Sequence, residues 1–137
     1  YSPATIKEVD WISGACIMCN KKDFSELGGF DEGIFMYMDE IDLLYRAKQK
    51  NMRVGFFPDA QFIHLGSASS GSRKQPILQV FKGFLYFYKK HHSKRSYAIM
   101  KRMLQLKAQI GLAIGKLTGN TYLTETYGEA QTILKNS

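Results

Sequence analysis

The segment from Gly28 to Leu43 restricts the fold of this chain more than any other part of the sequence. It opens with a glycine pair, and glycine ends helices because it adopts left-handed backbone conformations at little steric cost. A dense apolar and aromatic stretch follows. Three carboxylates, Asp39, Glu40 and Asp42, then stand where the apolar periodicity of a new helix begins. The segment therefore predicts a helix stop, an irregular connection and a helix start.

The three carboxylates have two interpretations. Acidic side chains in a first helical turn are stabilised by the helix dipole, so capping and solvation explain them without any chemistry. The alternative is a general base, because apolar neighbours and nearby like charge both raise the pKa of a carboxylate. On a helix, Asp39 and Asp42 share a face and Glu40 points about 100° away, so the three cannot serve one purpose. Asp42 and Arg46, four residues apart, predict an ion pair.

The segments around the acidic turn predict short elements. We expect residues 9–18 to form a loop that feeds a buried strand, with Cys16 and Cys19 as small buried hydrophobes. Redox or metal chemistry is the alternative for this C-x-x-C, although no second ligand pair accompanies it. A short helix is expected over 22–27. After the helix that starts at Asp39 and ends at Asn51, strands are expected at 54–57 and 61–64.

His64 closes the second of these strands and precedes the small-residue loop 66–72. It is either an ordinary hydrogen-bonded histidine or a residue at the edge of a ligand. The second interpretation arises because loops rich in Ser and Gly offer backbone and hydroxyl donors to phosphate.

The charge of the chain is divided between its two parts. Residues 1–60 carry a net charge of −3 and residues 61–137 a net charge of +10, with eleven basic and no acidic residues from Arg73 to Lys116. The later part predicts a helix from Pro76, a second helix at about 97–117, a break at 118–120 and a terminal helix. The apolar face expected on the second helix comprises Ile99, Met103, Leu106, Ile110 and Ile114.

Several ordered motifs carry a family resemblance. They are V-D-W-I-S-G-A-C at 9–16, L-G-G-F-D-E at 27–32, F-M-Y-M-D-E-I-D-L at 35–43, P-D-A at 58–60, and His64. Together they resemble the family 2 glycosyltransferases of the GT-A fold, and within them the rhamnosyltransferase-like members. The resemblance covers the chain from Val9 to about Ser70.

The resemblance implies an α/β fold, of which this chain matches the C-terminal half. Residues 1–72 would form the acceptor-side half of the catalytic domain, and residues 73–137 a basic, amphipathic, mostly helical region. In these enzymes the first half binds the nucleotide-sugar and carries an Asp-x-Asp motif, which this chain lacks. Because the chain also begins at Tyr1 rather than Met, we expect a fragment that is inactive alone.

The resemblance also implies residue roles. The family's acidic pair usually reads Glu-Asp, with the second member as the base, so the reversed order here places the base at Glu40 and leaves Asp39 as a substitute. His64 matches a position near a metal, Mg²⁺ or Mn²⁺, and the leaving diphosphate. The residues expected to bind substrate are Trp11, Gly14, Ala15, Asp42 and Arg46. For Asp42 a supporting role through Arg46 is the alternative.

The implied partners are a nucleotide-diphosphate sugar and a glycan or lipid-linked acceptor, in a cytoplasmic enzyme of cell-surface polysaccharide synthesis. Residues 73–116 suit the inner face of an anionic membrane, or else form a solvated positive face on helices that pack on the catalytic core. A pI of about 9.4 also raises a nucleic-acid-binding module. The acidic first part and the lack of a nucleic-acid motif oppose it. A non-catalytic interaction domain is the third possibility.

Overall fold

The computed structural model describes residues 5–64 and 74–137. The elements in chain order are β1 (Lys7–Glu8), α1 (Lys21–Glu26), α2 (Asp39–Gln49), β2 (Gly55–Phe56), α3 (Lys74–His91), α4 (Lys94–Thr118) and α5 (Thr121–Lys135). The described residues fall into two compact units, 5–34 with 38–64, and 35–37 with 74–137. The domain boundary predicted between residues 72 and 73 lies outside the described residues.

The first unit is built on α2 and a short antiparallel sheet. Lys7 of β1 lies opposite Phe56 of β2, and the Val9 amide donates to the Val54 carbonyl at 3.0 Å. The predicted helix from Asp39 is confirmed, and Asn51, at φ +57°, follows its end. This helix and its surroundings bury the apolar side chains of Ile34, Met38, Leu43, Leu44, Ala47 and Val54.

Arg46 joins α2 to the glycine turn that follows α1. Gly28 and Gly29 have φ values of +82° and +70°, which confirms the predicted helix stop. Both nitrogens at the tip of the Arg46 guanidinium donate to this turn, Nη1 to the Leu27 carbonyl and Nη2 to the Gly29 carbonyl at 2.7 Å. Its Nε donates to Asp42 Oδ2 at 2.7 Å, and the Asp42 side chain has no solvent exposure. The predicted Asp42–Arg46 ion pair is therefore confirmed, and it is buried.

Two predicted strands are wrong. Residues 12–19 form turns and coil, and Cys16 and Cys19 are exposed free thiols rather than buried hydrophobes. Residues 61–64 are also coil, with Ile63 91% exposed. A strand needs a partner for its backbone donors and acceptors, and among the described residues β2 pairs with β1, which lies before the predicted strand. Apolar composition alone does not supply that partner.

The second unit is a bundle of α3, α4 and α5, which confirms the three helices predicted for the basic region. Its buried core comprises Leu78, Phe81, Leu85, Leu104, Ala108, Ala130 and Leu134. The Ser93 hydroxyl caps α4 by accepting from the Ser96 amide at 3.2 Å. Gly119, at φ +65°, ends α4, and the Asn120 side chain caps α5 by accepting from the Leu123 amide at 3.2 Å.

The apolar face predicted for α4 is wrong, because those five side chains are 46–62% exposed. The buried residues are Leu104, Ala108, Gly111 and Gly115, on the opposite side of the helix. Small residues there allow α5 to come close: a Cβ at position 115 would lie 2.8 Å from the Thr124 backbone nitrogen, and one at position 111 would overlap the Tyr127 ring. Close approach of backbones decided the packing face, against the larger aliphatic residues.

This packing predicts opposite effects for two glycine substitutions. Gly111→Ala should lower the free energy of unfolding by about 1–3 kcal/mol, because the new methyl group meets the Tyr127 ring. Gly128→Ala, in the helix interior with nothing within 4 Å of the new Cβ, should raise it by about 0.5–1 kcal/mol. Urea unfolding of both variants measures the difference. Equal stabilities of the two variants would contradict the α4–α5 contact.

The Arg46 network predicts a second stability difference. Arg46→Met should cost about 3–5 kcal/mol, because it takes the paired cation from a buried carboxylate. Asp42→Asn should cost less, since its amide oxygen still accepts from Arg46. The matched control is Lys22→Met, which removes the exposed i,i+4 pair with Glu26 at 3.9 Å and should cost less than about 1 kcal/mol. Thermal unfolding that ranks Lys22→Met with Arg46→Met would refute the role of the network.

Candidate active site

Glu40 lies in the first turn of α2 and is the carboxylate that the fold treats differently. The helix begins at Asp39, and its N-cap residue, Met38, makes no side-chain capping bond. Burial raises the pKa of Glu40 above its usual value, and a hydrogen bond and charge interaction with Asp39 raise it further. Backbone hydrogen bonds from Glu40 itself and from Gly14 act in the opposite direction without cancelling the rise. Glu40 is thus a half-buried carboxylate with a proton affinity above that of an ordinary glutamate.

Gly14 brings the N-terminal loop against Glu40. Its amide donates to the Glu40 carboxylate, and a Cβ at position 14 would lie 3.3 Å from the Cβ of Glu40. The sequence analysis predicted that something approaches the backbone at Gly14 and Ala15. At Gly14 the group that approaches is the side chain of Glu40. Ala15 is exposed, and its amide donates to the Ser13 hydroxyl at 3.3 Å.

Asp39 and Glu40 form the carboxyl pair of this turn. Their side chains are hydrogen-bonded to each other, although ideal helix geometry placed Asp39 on a face with Asp42 instead. Asp42 turns inward to Arg46 and is fully buried. The three carboxylates therefore divide as predicted into separate roles, with two at the surface of the turn and one beneath it. Tyr37, two residues before α2, has a φ of +74°, a left-handed conformation that is rare for a non-glycine residue.

Asp10 and Lys48 are contacts that sequence reasoning missed. They form an ion pair between the N-terminal loop and α2, and Lys48 lowers the pKa of Asp10 through a hydrogen bond and through its charge. The sequence analysis had assigned Lys48 to solvent, because no spacing rule links residues 38 positions apart. Trp11 follows Asp10 directly and is 50% exposed, so its ring is open to a ligand.

Asp42 and Arg46, expected among the substrate-binding residues, are occupied by the fold. The guanidinium donates to Asp42, Leu27 and Gly29, and only 19% of the Arg46 side chain is exposed. This geometry agrees with the supporting role given as the alternative for Asp42. Direct substrate contact by either residue stays a prediction.

His64 is exposed and is the last described residue before the gap at 65–73. The serine and glycine loop at 66–72, expected to offer donors to phosphate, lies outside the described residues. Within 5–64 and 74–137, no three His, Cys, Asp or Glu side chains come together as a set that could hold a metal ion. The described part of the chain therefore does not form a metal site by itself.

The arrangement around Glu40 suits proton abstraction. A raised pKa brings a carboxylate closer to neutral pH, where a general base works best, and half-burial leaves a side of it open to a substrate hydroxyl. The Gly14 amide fixes the carboxylate in position, and Asp39 adds a second carboxyl group at hydrogen-bond distance. Glu40, Asp39 and Gly14, three of the expected site residues, thus lie together at the start of α2.

Comparison with known proteins finds partial relatives. The chain is 35% identical over 65 residues to the N-acetylglucosaminyl-diphospho-decaprenol L-rhamnosyltransferase of Mycobacterium tuberculosis, which is 47% of this chain and 21% of the relative. It is 36% identical over 59 residues to the low-salt glycan biosynthesis hexosyltransferase Agl10 of Haloferax volcanii, 43% of the chain and 19% of the relative. It is 38% identical over 56 residues to the rhamnosyltransferase WbbL of Escherichia coli, 41% and 21%.

These matches span about a fifth of the length of each relative. No family model matches the chain, and no solved structure matches it. The similarity supports a glycosyltransferase family and leaves the GT-A fold a prediction. Over close to half of its length, this chain is similar to glycosyltransferases, rhamnosyltransferases among them.

Proposed function

We propose that this chain is the acceptor-side part of an inverting glycosyltransferase of family 2 and the GT-A fold, with Glu40 as the general base. The observation that carries the proposal is the environment of Glu40, a half-buried carboxylate of raised pKa held by the Gly14 amide at the start of a helix. Such a group is costly to maintain and has a use where a hydroxyl must lose its proton.

The reaction that fits this group is a displacement at the anomeric carbon of a nucleotide-diphosphate sugar. Glu40 takes the proton of the acceptor hydroxyl as its oxygen forms the new bond to the sugar, and the nucleoside diphosphate leaves from the opposite side. Inversion follows because attack and departure occur on opposite faces. Asp39 holds Glu40 through their hydrogen bond and is the substitute base if Glu40 is removed.

The names of the relatives guide the proposed substrates. The Mycobacterium tuberculosis protein is named for a rhamnosyl transfer to N-acetylglucosaminyl-diphospho-decaprenol, and the Haloferax volcanii protein for glycan biosynthesis. We therefore assign this chain a lipid-linked or glycan acceptor and a nucleotide-sugar donor. The exposed ring of Trp11, next to the ion-paired Asp10, gives the acceptor an apolar surface. A divalent cation, Mg²⁺ or Mn²⁺, would stabilise the leaving diphosphate in the complete enzyme, with His64 as this chain's candidate ligand.

Glu40→Gln should abolish most sugar transfer in the complete enzyme, because an amide cannot accept the hydroxyl proton. Loss of a general base lowers the rate by about 10²–10⁴-fold. Initial rates with a saturating donor measure this, and donor binding should remain close to normal. The matched control is Glu32→Gln, the same chemical change at an exposed position of the same unit, which should keep normal transfer.

A Glu40→Gln enzyme with near-normal transfer would remove Glu40 from the role of base. Asp39→Asn then distinguishes the two carboxylates. If Asp39→Asn loses transfer while Glu40→Gln keeps it, the base is Asp39. If both retain full activity, the acidic turn is not catalytic and the proposed mechanism is wrong.

Glu40→Gln should also raise stability near neutral pH. A glutamate whose folded pKa is raised favours folding while it is protonated, below its unfolded pKa, and loses that contribution as the pH rises through the folded pKa. Glutamine mimics the protonated form at every pH. The Tm of Glu40→Gln should exceed that of the unmodified protein at pH 7–8, and the excess should shrink as the pH falls below the usual glutamate pKa. A lower Tm at pH 8 than at pH 4, relative to the unmodified protein, would contradict the raised pKa.

A further inference from the structure

The outer face of α4 exposes a continuous row of large apolar side chains. Exposure ranges from 46% at Ile114 to 87% at Leu117, in a helix that buries its opposite face against the bundle. Isolated apolar residues on a surface need no explanation, but a contiguous row marks an interaction surface. The row comprises Ile99, Met103, Leu106, Ile110, Ile114 and Leu117, and is called the α4 row below.

The spacing of the α4 row keeps its members on one side. Successive residues are separated by three or four positions, so the row runs straight along about five turns of α4. Arg95, Arg102 and Lys116 are exposed and lie along one edge of the row. Lys107 lies along the other edge, 5.7 Å from the centre of the Phe81 ring. No acidic residue occurs between Lys94 and Thr118, so the whole face is positive as well as apolar.

This charge pattern argues against a second copy of the chain as the occupant. A row with three- and four-residue spacing suits a helix pair, in which residues at its edges face those of the partner. In a parallel pair Arg102 would face Lys107 of the other copy, and in an antiparallel pair the edge with Arg95, Arg102 and Lys116 would face itself. Like charges meet in both arrangements. The complementary occupant is apolar in its interior and negative at its surface.

An anionic lipid bilayer has this character. Helices that lie in the membrane interface place Ile, Leu and Met among the acyl chains and Lys and Arg beside the lipid phosphates. Among the described residues, no helix is long and apolar enough to cross a bilayer. We propose that α4 binds the surface of an anionic membrane in the plane of the interface, through the α4 row and its flanking cations. The inference is independent of the role of Glu40.

Vesicle flotation tests this surface. Wild-type protein should float with vesicles of phosphatidylcholine mixed with phosphatidylglycerol, and much less with phosphatidylcholine alone. Ile110→Glu, which places a carboxylate in the centre of the α4 row, should reduce flotation by more than about tenfold. Because Ile110 is 50% exposed, the substitution should leave the circular dichroism spectrum and Tm close to normal.

The matched control is Thr132→Glu on an exposed position of α5. It changes the net charge equally, but α5 packs on the buried side of α4, about one helix diameter of 10 Å from the lipid. Charge effects are screened over about 8–10 Å at physiological ionic strength, so flotation should stay within about threefold of wild type.

A second variant tests the cations alone. Arg102→Gln combined with Lys116→Gln leaves the α4 row intact and should weaken flotation by about fivefold per residue at low salt. The residual binding should be the part of wild-type flotation that persists at high salt, because apolar burial is not screened.

Four results would overturn the proposal. They are flotation of Ile110→Glu equal to wild type, an equal loss in Thr132→Glu, absence of wild-type flotation on anionic vesicles, and unchanged flotation after removal of both cations. Sedimentation velocity and binding to duplex DNA are measured on the same variants. A dimer that Ile110→Glu dissociates, or tight DNA binding lost in Arg102→Gln with Lys116→Gln, would replace the membrane by that partner if vesicles do not bind.

Discussion

The ion pair between Arg46 and Asp42 is the interaction on which the first unit depends. A buried carboxylate is tolerated only when its charge is compensated, and Arg46 supplies the cation while also donating to the carbonyls of Leu27 and Gly29. One side chain therefore satisfies a buried charge, closes the glycine turn and fixes that turn to α2. The first turn of α2, which carries Glu40, is held by this network from below. A change at Arg46 would thus disturb the acidic turn without touching substrate.

Two carboxylates of one helical turn have opposite relations to stability. Asp42 is buried with its cation and favours the folded state as an anion. Glu40 is partly desolvated beside another carboxyl group, so its raised pKa makes the anion less favourable in the folded protein than in the unfolded chain. A strained charge of this kind is expected where function requires it. The environment, rather than the residue type, therefore separates a structural acid from a candidate base.

The second unit follows a different rule, in which the smallest residues select the packing face. Gly111 and Gly115 let α5 approach α4 until Tyr127 and Thr124 fill the space that a side chain would take. Dispersion contacts across so short a distance outweigh the burial of larger aliphatics on a face that no described helix could reach as closely. The consequence is that the large apolar residues of α4 remain exposed beside its arginines and lysines.

The sequence by itself determined the local structure and some of the chemistry. Helix periodicity, the positive-φ glycines at 28, 29 and 119, the Asp42–Arg46 spacing and the acidic turn were all predictable, because each depends on neighbours within about four residues. Only the tertiary structure decided that Gly14 contacts Glu40, that Asp10 pairs with Lys48, that Cys16 and Cys19 are exposed and which face of α4 is buried. These depend on contacts between distant residues, which periodicity does not encode.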